Sequence, residues 1–188
     1  MRLLFLGDIV GKAGRDAVLR ELPYLRRALD IDFAVVNAEN AAHGFGLTAS
    51  IANELFDAGA DVLTTGNHVW DQRELLTHIE REPRILRPAN FPPGTPGRGT
   101  GLFPACGGRQ VLVVHAMGRV FMEPLDCPFR AVDKELEAAP LAAVADAILV
   151  DMHAEATSEK MAMGHWCDGR ASLVVGTHSH VPTADAQV

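Results

Sequence analysis

Short apolar runs alternate along the chain with longer stretches in which apolar positions recur every three or four residues, the pattern of a fold that alternates strand and helix. Residues 3–6, 33–36 and 62–65 read as strands in the first half, and 111–114, 148–150 and 173–175 in the second, all short and rich in aliphatic residues. Val18, Leu22, Leu25 and Leu29 share one helical face, with Pro23 predicted to split that helix. Thr48 is placed to cap a helix that carries Ile51 and Leu55 inward and stops near Gly59. Asp71, with Glu74 three residues on, has the spacing of a capping box ahead of Leu75 and Ile79. Further helices are expected at about 131–145 and 158–166. Residues 87–108 are rich in Pro and Gly and read as an irregular crossing between two halves of one domain spanning 1–188.

The chemistry sits where the apolar runs stop. Gly7-Asp8, Asn37-Ala38-Glu39-Asn40, Gly66-Asn67-His68, His153 and Gly176-Thr177-His178-Ser179-His180 each follow a run of strand type. Parallel strands bring their C-terminal ends to one edge, so these carboxylates, amides and imidazoles are expected to converge, and that set suits two metal ions. Asp8 alone reads more simply as a turn or cap residue. Glu39, between Asn37 and Asn40, is the natural bridge, because each carboxylate oxygen can serve one cation. Asn67 offers an amide oxygen. Its neighbour His68 cannot easily face the same ion, which leaves it as an acid toward substrate oxygens. His178 and His180 are two apart and share a face if strand geometry persists, so they can serve two neighbouring ions, and His153 adds another nitrogen. An oxygen and nitrogen shell without thiolate suits iron, manganese or zinc better than magnesium or calcium.

The glycine-rich start is not a phosphate loop. Gly7 is followed by three residues before Gly11-Lys12, where that motif needs four, and Ala13 stands where it needs Ser or Thr. Gly7 and Gly11 are instead expected to make room for backbone beside Asp8. His78 falls on a helix and His43, His115 and His165 lack a carboxylate or amide partner in sequence, so all four read as structural, with approach to substrate left open for His43 beside the Glu39 block; Arg119 and Lys160 read as solvated cations or phosphate contacts.

Composition narrows the partners. A formal charge of -7 argues against stable binding of nucleic acid, whose partners carry a basic surface. No run is long enough for a signal-peptide core or a membrane span, so a cytoplasmic protein without membrane contact is expected. Cys106, Cys127 and Cys167 are odd in number and unpaired in spacing, as reduced thiols are.

Taken together, GDIVGKAGR, NAENAAHGFGLT, TTGNHVWD, RPANFP, DMHAEATSEK and VGTHSHVPTAD span nearly the whole chain. They resemble the calcineurin-like metallophosphoesterases, and more closely the YmdB-like branch of 2′,3′-cyclic-nucleotide 2′-phosphodiesterases. The resemblance implies an α/β sandwich in which helices flank two packed β-sheets, with metals at the C-terminal strand ends. It implies that Asp8, Glu39, Asn40 and His180 hold one ion and Glu39, Asn67, His153 and His178 the other. Iron is the expected metal, with manganese or zinc in its place, and His68 is the proton donor. The implied reaction is attack of a hydroxide shared by the two cations on a small-molecule cyclic nucleotide, giving a 3′-nucleotide. Two departures stand out. Val10 occupies a place where the wider superfamily has His, and Asn40 takes up that ligand role in the YmdB-like branch. Family members also continue past the His-x-His block, so a C-terminal sheet segment is expected to be missing here. Rival readings are a phosphomonoesterase or general phosphodiesterase of the same fold, or a metal-binding regulatory protein with little turnover; a homo-oligomer stays open.

Overall fold

A computed structural model describes residues 1–188. Its first sheet is wholly parallel, with β1 (Leu3–Leu6), β2 (Phe33–Asn37), β3 (Val62–Thr64) and β4 (Ile85–Leu86) side by side in that order. The second holds β5 (Thr100–Pro104), β6 (Gln110–Met117), β7 (Ala147–His153) and β8 (Leu173–Thr177), parallel except for β5, which runs antiparallel to β6. Helices α1 (Gly11–Ala28), α2 (Ala49–Asp57) and α3 (Leu75–His78) belong to the first half, and α4 (Pro128–Ala138) and α5 (Thr157–Trp166) to the second.

The period of two along each strand decides the layering. Ala34 and Val36 of β2 pack with Val18 and Leu22 of α1 and Ile51 and Leu55 of α2. The intervening Phe33 and Val35 face the second sheet and meet Val111, Val113 and Leu149 there. On the far side, Leu112, Val114, Ile148 and Val150 pack with Val132 and Leu136 of α4 and Met163 of α5. The order is helix, sheet, sheet, helix, as the family resemblance implied. Each buried aliphatic or Phe side chain contributes about 1.5–3 kcal/mol relative to exposure, so the sheet-to-sheet layer alone ties the halves together. No helix is long and apolar enough to cross a membrane.

Several local expectations are corrected. Pro23 lies inside α1 without splitting it; Val18 and Leu22, in the turns before it, are buried and hold that part of the helix against the sheet. The predicted capping box at Asp71 does not form. Its carboxylate turns to His68, Glu74 accepts from the amide of Ala49, and α3 is only four residues long. The Thr48 cap forms as expected, its hydroxyl accepting from the Ile51 amide at 3.2 Å. α4 starts with Pro128 at its first turn and ends at Ala138, two residues ahead of Pro140, rather than running to 145. The crossing at 87–108 contains β5, whose pairing with β6 was not legible among its glycines and prolines.

Candidate metal centre

The inner faces of both sheets are apolar until the last residues of the strands, where the same alternation delivers polar groups: Asn37 on β2, Thr64 on β3, His115 on β6, Asp151 and His153 on β7, and Thr177 on β8. All six are buried. The loops leaving β1, β2, β3 and β8 add Asp8, Glu39, Asn40, Asn67, His68, His178 and His180 at the same edge.

Two groups of donor atoms form there. In the first, His153 Nε2 lies 2.8 Å from Glu39 Oε2, 3.1 Å from Asn67 Oδ1 and 3.2 Å from His178 Nδ1. The ligand atoms of Glu39, His153 and His178 all fall within 4.8 Å of one another. Glu39 Oε2 is buried and makes no hydrogen bond, although His153 Nε2 lies 2.8 Å away. Oxygen and imidazole lone pairs gathered around an orphaned carboxylate oxygen fit a bound cation. In the second group, His180 Nε2 lies 3.1 Å from Asn40 Oδ1 and 3.8 Å from Asp8 Oδ1. Asp8 also accepts from the His178 amide at 2.9 Å, which ties the two groups together. Every residue named from the sequence is thus at this edge.

His178 and His180 arrive there by a different route from the one expected. The strand ends at Thr177, and both histidines have left-handed backbones, with φ of 94° and 54°. The left-handed turns, not a continued strand, send the rings toward His153 and Asn40 respectively. The glycine expectation is also corrected: Gly7 borders open space, and Gly11 is required by its positive φ of 56°. The glycine that makes room is Gly66, where a Cβ would lie 2.6 Å from Glu39 Cδ.

A family model of YmdB-like proteins matches residues 4–188. The chain belongs to the YmdB-like family. A 2′,3′-cyclic-nucleotide 2′-phosphodiesterase of Bacillus subtilis is 48% identical to it over 188 residues, which are 100% of this chain and 70% of that protein. A putative phosphatase/phosphodiesterase of Mycoplasma genitalium is 34% identical, over 100% of this chain and 67% of its own length. Among solved structures, a hypothetical protein from Thermus thermophilus superposes with a TM-score of 0.91 at 49% identity, covering 100% of this chain and 71% of that one. A novel phosphatase from Mycoplasma pneumoniae gives 0.88 at 33% identity, over 97% of this chain and 66% of the other.

In this YmdB-like protein His178 and His153 each have a partner for the second ring nitrogen, as metal-site histidines generally do. His178 Nε2 faces Glu155 at 3.0 Å, and His153 Nδ1 faces the Thr177 hydroxyl at 2.9 Å. Burial pulls the His178 imidazole below its ordinary value, and the His153 ring adds to that. Burial opposes charge on His153 too, but Glu39, Asp151 and Asp8 outweigh it and hold its pKa above the ordinary value. Glu39 is the reverse case, where burial is overcome by His153 and the His68 amide, and its carboxyl stays low. His68 itself stands beside the groups. Its Nδ1 is 2.8 Å from Asp71 Oδ2, its amide donates to Glu39 Oε1 at 2.9 Å, and Phe45 meets its ring edge-on with centroids 5.0 Å apart.

Three site residues were missed in the sequence. Asp71 was assigned to a helix cap, although three residues from His68 is also the spacing of a ring partner. Asp151 is a lone carboxylate inside the run 147–152, and burial of such a charge requires partners, which was the available signal. His115, set aside for lack of a nearby partner, lies 3.2 Å from Asp151 Oδ2 across the β6–β7 pairing. Lys160 is half-buried, with its ammonium donating to Ser179 Oγ at 2.7 Å, and burial lowers its pKa while Asp8 and Glu155 raise it. Arg119 is turned to the Leu125 carbonyl.

Proposed function

We propose that this protein is a metal-dependent phosphodiesterase that opens the 2′ ester of 2′,3′-cyclic nucleotides and releases 3′-nucleotides. The observation that carries this is the placement of the His68–Asp71 pair directly beside the Glu39-centred donor groups, with the His68 amide bonded to Glu39 itself. The substrate class follows the Bacillus subtilis relative, of which this chain spans 70%.

In this reading Glu39, Asn67, His153 and His178 hold one ion, and Asp8, Glu39, Asn40 and His180 hold the other. Iron is the native metal we favour, with manganese or zinc as substitutes, because soft thiolates are absent and imidazoles are not. Bound there, such ions offset charge on phosphoryl oxygens and lower the pKa of water to supply a nucleophile. The chain's own work is then to fix the donors and to move one proton. His68 holds a proton at Nε2 and gives it to the departing ribose oxygen. Asp71 accepts from Nδ1, which orients the ring. Phe45 restricts the ring from the side.

The test is a substrate profile on protein of known metal content, with 2′,3′-cAMP, 3′-AMP and p-nitrophenyl phosphate compared and the nucleotide products separated. Release of 3′-AMP from the cyclic substrate as the fastest reaction supports the proposal. Faster hydrolysis of the monoesters would favour a phosphomonoesterase, the second reading, which the likeness to the Mycoplasma pneumoniae phosphatase keeps open. Bound metal with no hydrolysis of any ester would favour a regulatory role.

A further inference from the structure

Beneath the donor groups, the two sheets are joined by one carboxylate. Asp151 is fully buried on the inner face of β7. Its Oδ2 receives the Thr64 hydroxyl at 2.6 Å and the Asn37 amide at 3.2 Å from the first sheet, and has His115 Nδ1 at 3.2 Å in the second. Its Oδ1 receives the Thr177 hydroxyl at 2.7 Å. The same Thr177 oxygen is 2.9 Å from His153 Nδ1.

A threonine hydroxyl has one proton to give. Asp151 accepts from the Thr64 hydroxyl and the Asn37 amide at Oδ2, and the Thr177 hydroxyl is directed at its Oδ1, so the carboxylate is the acceptor in each of these bonds. The Thr177 proton therefore goes to Asp151, and the remaining lone pairs of Thr177 face His153 Nδ1, which must supply the proton of that bond. We infer that Thr177 is a positioning residue: through the chain Asp151–Thr177–His153 it keeps the His153 proton on Nδ1 and so presents the Nε2 lone pair to a cation beside Glu39. This deepens the metal-site reading proposed above and rests on it. A hydroxyl here in place of a second carboxylate fixes the ring without adding negative charge next to Glu39, and Asp151 supplies the polarisation from one residue further back.

Thr64 provides the control, because it donates to the same carboxylate but does not touch His153. Thr177→Val and Thr64→Val each take one hydroxyl from Asp151, whereas Thr177→Ser keeps the chain intact. Manganese binding is titrated into metal-free protein of each kind, with the melting temperature of the metal-free forms recorded alongside. The expected result is a loss of about 10- to 100-fold in manganese affinity for Thr177→Val, the usual range for an outer partner of a ligating histidine, with Thr177→Ser and Thr64→Val within about threefold of the parent. Equal affinity losses in Thr177→Val and Thr64→Val, or none in either, would leave Thr177 only a structural partner of Asp151 and overturn the inference. A parent protein that takes up no metal would overturn the metal-site reading as well, a separate and recognisable result. Should Thr177→Val fail to fold, the nitrogen and proton spectra of zinc-loaded parent protein decide the point. A slowly exchanging proton on His153 Nδ1 is expected, and an unprotonated Nδ1 would refute the relay.

Discussion

The Glu39–Asn67–His153–His178 group and the Asp8–Asn40–His180 group sit at the same edge of the molecule, yet they are built differently. His153 is buried at the end of β7 and Glu39 in the loop just past β2, and the rings of His153 and His178 are held from behind by Thr177 and Glu155 respectively. His180 is 43% exposed in its side chain, follows a left-handed turn beyond the last strand, and meets only Asn40 and Asp8. The first group is built around His153 on β7 with its rings held from behind; the second depends on the exposed loop residue His180 to close it. A site made this way should take its first ion tightly and its second more loosely, since preorganisation removes the cost of ordering ligands.

Removing the shared member tests this hardest. Glu39→Ala should leave purified protein without bound metal and lower phosphodiesterase turnover by at least about 1,000-fold, the equivalent of about 4 kcal/mol. Retention of both ions by metal analysis would show that Glu39 is not common to the groups. His68→Ala comes next. His68 lies outside both groups, so metal content should be unchanged while the rate falls about 100- to 10,000-fold, as for loss of a general acid. A fall below tenfold, or a parallel loss of metal, would remove His68 from that role.

His180→Ala sharpens the comparison itself. It should abolish the weaker of two binding steps in a calorimetric titration and leave the stronger intact, whereas loss of the stronger step would invert the ranking argued here.

The smallest expected effect is on pH. Metal uptake must displace the His153 proton, whose pKa is raised above 6.5, so affinity in the first group should fall as pH drops through and below that raised value, with proton release on binding. In metal-free protein the sign is opposite. The raised His153 contributes stability that is full below 6.5 and fades as pH climbs through its folded value, and the lowered Glu39 contributes stability that is full above 4.5 and fades as pH falls through its folded value. The window of maximum benefit from this pair is therefore between 4.5 and 6.5. Melting curves of metal-free parent and Glu39→Gln should differ most there, and a difference that peaks at alkaline pH would contradict the assignment.

The sequence disclosed the strand ends because a short apolar run followed by Asp8, Glu39, Asn67, His153 or His178 marks where a parallel strand stops, and that is a local signal. The layering was not legible in this way, because 33–36 and 111–114 are apolar at every position; it was implied only by the family resemblance. What stayed hidden was non-local. β4 has two residues, and β5 has Gly101 within it and Pro104 at its end, so neither shows a period of its own. Asp71 satisfies one spacing rule as a cap and another as a ring partner, and only the position of His68 decides between them. Asp151 and His115 are 36 residues apart and find each other only when β6 pairs with β7. Thr177 looked like part of a histidine motif, and its role is visible only with Asp151 beneath it.

Two ions gathered around Glu39 are proposed to enable this chain to open a cyclic phosphodiester. The most direct test is turnover of 2′,3′-cAMP as manganese is added stepwise to metal-free protein. Negligible rate without metal is expected, with a rise that completes near two equivalents per chain and 3′-AMP as product. Equal turnover in chelator-treated protein, or full saturation with manganese and no hydrolysis, would contradict that proposal.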